Sequence, residues 1–145
     1  MKAFRFRLDQ ALRWRETQAN LQKARVAAAT ARVAEIERTL QDLNSAVIRA
    51  AAPLVEHATG VVTQSYAAFS SVTRARIRQQ ESQAVLARRN TELEIKRLIE
   101  ASQKVRVLEK LKTAQHTDWH ADFERELTAF ADEAFLGRRA KQRVP

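Results

Sequence analysis

The sequence predicts an all-α fold: a long antiparallel two-helix coiled-coil hairpin with a longer second helix. Three observations carry this expectation. A stripe at alternating four- and three-residue intervals runs Leu8, Leu12, Arg15, Ala19, Gln22, Val26, Ala29, Val33, Ile36, Leu40, Leu43, Val47, Ala50, Leu54. Such spacing is the heptad seam of a coiled coil. Only two glycines and two prolines occur in 145 residues, fewer than most enzyme folds need for turns and phosphate loops. Alanine, arginine, glutamate, glutamine and leucine dominate, and all of them favour helix.

The elements lie within a single coiled-coil domain, 1–145. Helix one is expected over about 7–57, with Asp9 and Glu16 in its first turns, where negative charge complements the helix dipole. Pro53 lacks an N–H and crowds the preceding turn. The helix is therefore expected either to end near Ala52 or to kink there and finish within a turn. The break centres on Ala58-Thr59-Gly60-Val61, with a turn over about 58–62. Gly60 suits a left-handed helix-ending conformation, and Thr63 or Ser65 can cap the next helix. So short a connection makes the two helices antiparallel neighbours.

Helix two is expected over about 63–136, with a basic tail, 137–145, beyond it. Its seam opens with Tyr66, Ser70, Thr73, Ile77, Gln80, Ala84 and Ala87. Beyond Arg88 two registers compete: Leu86 with Leu93, against Ile95, Leu98, Val105 and Leu108. That conflict predicts a stutter, where a supercoil locally unwinds. At about 1.5 Å rise per residue the helices are roughly 75 and 110 Å long. With the turn near residue 60, Leu8 lies opposite about residue 112, and everything beyond Thr113 overhangs. The overhang can extend or fold back, and Phe4 and Phe6 would lie near Trp119 and Phe123.

The net charge of +9 is segmented. Residues 1–57 carry ten bases and six acids, and residues 74–112 carry eleven bases and five acids. Residues 115–136 invert the balance, with Asp118, Asp122, Glu124, Glu126, Asp132 and Glu133 against Arg125 alone. The basic N-terminal segment should therefore attract the acidic one. Cysteine is absent, which excludes disulfides and thiolate chemistry. No apolar run approaches the ~20 residues of a membrane span, and the N-terminus lacks the apolar core of a secretory signal. A cytoplasmic location is the expectation.

Enzymatic activity is not expected. There is no Gly-rich phosphate loop, and paired carboxylates such as Asp132 with Glu133 need a dry cleft to shift their pKa values. His116 and His120 stand four apart, but no third metal ligand accompanies them; they read as a solvated pair flanking Trp119. His57 belongs to the turn. No cofactor and no small-molecule substrate are expected. The nineteen arginines can neutralise phosphates, but acids are interleaved on most turns and no reading helix or stacking platform is present. Nucleic acid is therefore not an expected partner. The alternative function kept open is a nucleic-acid-associated or self-associating basic coiled-coil scaffold. Tyr66 and Phe69, just past the turn, form either a docking patch or a cap on the hairpin's own apolar end.

The opening Phe4-x-Phe6-x-Leu8-x-x-x-Leu12-x-x-Arg15 resembles the start of the FliJ family of flagellar type III export proteins. The late segment resembles it too: Leu108-Glu109-Lys110-Leu111-Lys112, Trp119, Phe123-Glu124-Arg125-Glu126, then Asp132-Glu133-Ala134 before a basic tail. The resemblance spans the chain, and it implies a non-enzymatic central stalk. Its partners would be the hexameric export ATPase, the cytoplasmic domain of the export-gate membrane protein, and export chaperones. It would sit at the cytoplasmic face of the inner membrane through the export apparatus, whether flagellar or injectisome. By position, Phe69 matches the aromatic of the family's gate-binding patch, followed by Thr73, Arg76 and Gln80, with Tyr66 adjacent. Thr73 stands where the family has an apolar residue. For the ATPase ring, the basic residues of the open end are the candidates: Arg5, Arg7, Arg13 and Arg15, faced by Lys110 and Lys112.

Overall fold

The computed structural model describes residues 3–56 and 59–141. Two helices and no strand occur among them: α1, Asp9–Glu56, of 48 residues, and α2, Gly60–Lys141, of 82 residues. The helices pack against each other, and cross-helix pairs at Asp9–Lys112, Gln22–Glu94 and Glu37–Arg88 run antiparallel. The predicted hairpin with a longer second helix is the fold observed.

The α1 seam is as the spacing predicts. Every stripe position from Leu12 to Leu54 is buried or half-buried, and only Leu8, at the entry, is exposed. The α2 seam starts as expected, from Tyr66 to Ala87, but the stutter does not occur. The alternation continues through Thr91, Glu94, Leu98, Ala101, Val105, Leu108 and Lys112, all buried or half-buried. Leu86, Leu93 and Ile95 lie on exposed faces. Polar residues hold seam positions there because their groups find partners within the seam: Thr91 in its own helix, Glu94 and Lys112 across the interface.

The break between the helices is shorter than the expected turn. α1 passes through Pro53 and ends three residues later at Glu56, which is the second of the two outcomes expected there. Gly60 is not a left-handed helix end. No described residue has positive φ, and Gly60 is the first residue of α2. Thr59, rather than Thr63 or Ser65, supplies the cap. Its Oγ1 accepts the Val62 N–H at 3.4 Å, and its carbonyl accepts the Thr63 N–H at 3.0 Å. A threonine at that position satisfies an amide that the helix itself cannot. The expected position of His57 and part of the expected turn lie outside the described residues. At the far end, residues 137–141 of the expected tail are helical; Gly137 alone does not end the helix, because the residues around it favour helix. Residues 142–145 lie outside the described range.

The chain divides into two compact units, each a piece of both helices: Met1–Ala19 with Ala101–Pro145, and Asn20–Glu100. The core of the second unit is thin, with Ala29, Ile36 and Ala84 as its buried apolar residues. Alanine on both sides gives close helix approach but little transfer energy, at roughly 0.8 kcal/mol per buried methylene.

Candidate interaction surfaces

In the unit built from the chain ends, residues 3–6 have no regular secondary structure and α1 begins at Asp9. The Asp9 N–H donates to the Phe6 carbonyl at 3.2 Å, and the Leu12 N–H donates to the Leu8 carbonyl at 2.9 Å. Asp9 thus sits at the positive end of the helix dipole. Its carboxylate also accepts Lys112 Nζ at 3.0 Å from α2 and Arg13 Nε at 3.0 Å from its own helix. These partners, the Lys112 hydrogen bond first among them, hold its pKa below the ordinary 3.8.

The N-terminal segment lays its aromatics against α2. Phe4 meets His116 edge-on, with centroids 5.0 Å apart and planes at 89°, and lies 6.0 Å from Trp119. Trp119 stacks on Phe123 at 5.5 Å and 9°. Phe6 is buried, and Lys112 Nζ lies 5.8 Å from its ring centroid. The contact between Phe4 and Trp119 matches the expectation. Of the two paths for the overhang, α2 extends: it stays helical to Lys141, and the short N-terminal segment comes to it.

Sorted by position, the six basic candidates separate. Arg5, Arg7 and Lys110 are exposed, without an ion pair among the described residues. Arg13 and Lys112 are occupied by Asp9. Arg15 is half-buried in the seam, with its guanidinium 4.7 Å from the Trp14 ring centroid. Only the first three present free charge to a partner. His116 and His120 are both exposed, as expected of a solvated pair flanking Trp119; His116 also touches the rings of Phe4 and Trp119, and His120 stands 3.4 Å from Glu124. Among the described residues, no group of three or more His, Cys, Asp or Glu is placed to hold a metal.

The other unit contains the suggested gate patch, and the heptad divides it. Thr73 is buried, and Tyr66 and Gln80 are half-buried in the seam facing α1. Thr73 Oγ1 donates to the Phe69 carbonyl at 2.8 Å, which satisfies its hydroxyl within the helix. Phe69 and Arg76 flank the seam and are exposed. The five residues therefore do not form one surface; Phe69 and Arg76 are the accessible pair. Near them Val61 and Val72 are also exposed on α2.

The same unit holds a polar contact that heptad spacing alone did not single out. Gln22 and Glu94 are both buried. Gln22 Nε2 donates to the Glu94 carbonyl at 3.0 Å and to the Glu94 side chain at Oε2. Glu94 Oε1 meets the exposed Arg97 at 2.8 Å. No buried side-chain nitrogen or oxygen among the described residues lacks a partner. A glutamine at a seam position was the available signal, but its counterpart was hidden by Leu93 and Ile95 on either side of Glu94.

No protein-family model, curated protein or solved structure matches this chain. Among the described residues, no helix is long and apolar enough to cross a membrane.

Proposed function

We propose that this protein is a non-enzymatic stalk of a type III protein export machine. In this reading it binds the hexameric export ATPase through the end that carries its chain termini, and the cytoplasmic domain of the export gate through the side of α2. It works in the cytoplasm, held at the inner membrane by those partners, and promotes ATPase ring assembly and the coupling of ATPase to export. The observation that supports the reading best is the hairpin itself. Its two helices spend their apolar stripes on each other, and free bases are left beside the N-terminal segment. The residue resemblance to the FliJ family supplies the identity of the machine.

The positions of the side chains narrow which residues are assigned. Arg5, Arg7 and Lys110 are the ring contacts of this proposal, since complementary charge across an interface steers encounter and sets register. Phe69 and Arg76 are the gate contacts. The test is co-sedimentation of the purified protein with the export ATPase at low salt, together with ATPase turnover. Stimulation that is lost in Arg5→Glu/Arg7→Glu is expected. Neither binding nor stimulation by the wild-type protein at low salt would reject the reading.

A further inference from the structure

The face of α2 that receives Phe4 does not stop where the N-terminal segment stops. Lys112, His116, Trp119 and Phe123 are succeeded at helical spacing by Leu127, Phe130 and Ala134. At 100° per residue these fall on one side of the helix. Phe130 is 72% exposed and Leu127 is 53% exposed. Asp122, Glu126 and Glu133 line one edge of the same stripe by that geometry. A shallow depression there is bounded by Phe123, Glu126, Leu127, Ala129, Phe130 and Glu133. Asp122 is paired with Arg125 at 3.1 Å, whereas Glu126 and Glu133 have no ion pair among the described residues.

We infer that this stripe is a docking site for a cationic amphipathic helix of a partner protein. Two features select that occupant. First, the stripe continues an interface already built. The segment seated on its beginning is Phe4-Arg5-Phe6-Arg7, in which apolar residues alternate with arginines, and the next positions keep the spacing that pairs helices elsewhere in the chain. Second, the rim is acidic in an otherwise basic protein: Asp122, Glu126 and Glu133 lie along one edge, in a segment with six acids against one base and a chain of net charge +9. Two copies of this face brought together would oppose carboxylate to carboxylate, which disfavours self-pairing. Lysines or arginines flanking an apolar stripe would meet both the rings and the rim. The inference does not depend on the export reading: a protein that fails to bind the export ATPase would still carry this site.

The probe is a fluorescein-labelled helical peptide of leucine and lysine, about five turns long at 3.6 residues per turn, with its leucines on one face. Anisotropy titrations use the full-length protein near physiological ionic strength, roughly 0.15 M. The controls are a composition-matched scramble that breaks the apolar face, and a peptide with glutamate in place of lysine. Binding by the amphipathic lysine peptide alone is expected. It should weaken about tenfold or more in Phe130→Ser/Leu127→Ser and in Glu126→Lys/Glu133→Lys. All four residues are exposed, and circular dichroism would establish that both variants remain helical. Equal binding of the scramble, or unchanged binding in both variants, would overturn the site. So would concentration-dependent self-association of the wild type, in sedimentation, that either variant abolishes, because the occupant would then be a second copy.

Discussion

Gln22 and Glu94 are the least expected residues to meet inside a seam. Burying an unpaired amide or carboxylate costs more than the hydrogen bond returns, so each is tolerable only beside the other. Gln22→Ala would remove the donor and leave Glu94 with Arg97 alone; a loss of about 1–3 kcal/mol in urea unfolding is expected. Replacing both with leucine should recover or exceed wild-type stability while weakening the preference for one register, since buried polar pairs act chiefly on specificity. Disulfide trapping of cysteines placed at neighbouring registers would read out that weakening. Asp9 is the second residue whose chemistry can be tested. Its folded pKa lies below its ordinary value, chiefly because Lys112 donates to the carboxylate. The stabilisation it gives is complete above pH 3.8 and is lost as pH falls through the lower folded value. Asp9→Asn should therefore be less stable than wild type at neutral pH, and the two should converge in acid. Near-ultraviolet circular dichroism of the Trp119 cluster across an acid titration would show the convergence, and a gap independent of pH would refute it.

At the scale of the element, the α2 register makes a sharp distinction. Ile36, 3% exposed, should lose about 2–5 kcal/mol on truncation to alanine. Leu86→Ala and Leu93→Ala, on the outer face, should change stability by no more than about 0.5 kcal/mol. Chemical denaturation of the three variants measures this directly, and a large loss at Leu93 would mean the stutter exists after all. Pro53→Ala should restore the bond to the Arg49 carbonyl and raise the thermal midpoint, by up to the equivalent of about 3 kcal/mol. The first helix was readable from residues alone because its stripe positions are mostly apolar and its outer face is mostly polar. The second was readable only as far as Arg88. Past that point its seam runs through Thr91, Glu94 and Lys112 as well as Leu98, Val105 and Leu108, while Leu86, Leu93, Ile95 and Ile99 sit outside, so hydrophobicity marks two faces at once. What makes Glu94 and Lys112 tolerable there is a partner group across the interface, and one stretch of sequence does not show which residue stands opposite. The same limit affected the binding residues. Thr73 and Gln80 share a face with Tyr66, yet that face is spent on α1; Arg13 and Lys112 carry charge that Asp9 has already taken.

Across the whole molecule, cover is distributed unevenly. Every residue from Glu124 to Arg139 is exposed on a helix with no described neighbour, and isolated helical segments of that length are marginal in water. Amide exchange should be slowest around Ala29–Ile36 and Ala84–Glu94 and much faster beyond Phe123. Hydrogen-exchange mass spectrometry would show this gradient, and uniform protection along α2 would contradict it. Saturating the protein with a cationic amphipathic peptide should slow exchange selectively over residues 119–134. The unbroken heptad also has a consequence for how the chain can change in length. One inserted residue within either arm would turn everything beyond it by about 100° and strip the stripe from its partner. Seven residues would restore the phase in that arm but slide its far part past the other, separating cross-helix pairs such as Gln22–Glu94 and Asp9–Lys112. Growth or shortening that preserves the structure must therefore come in matched steps of seven, one in each arm at mutually facing positions. Beyond Ala134, past the apolar stripe of α2, neither a second arm nor the stripe fixes the phase.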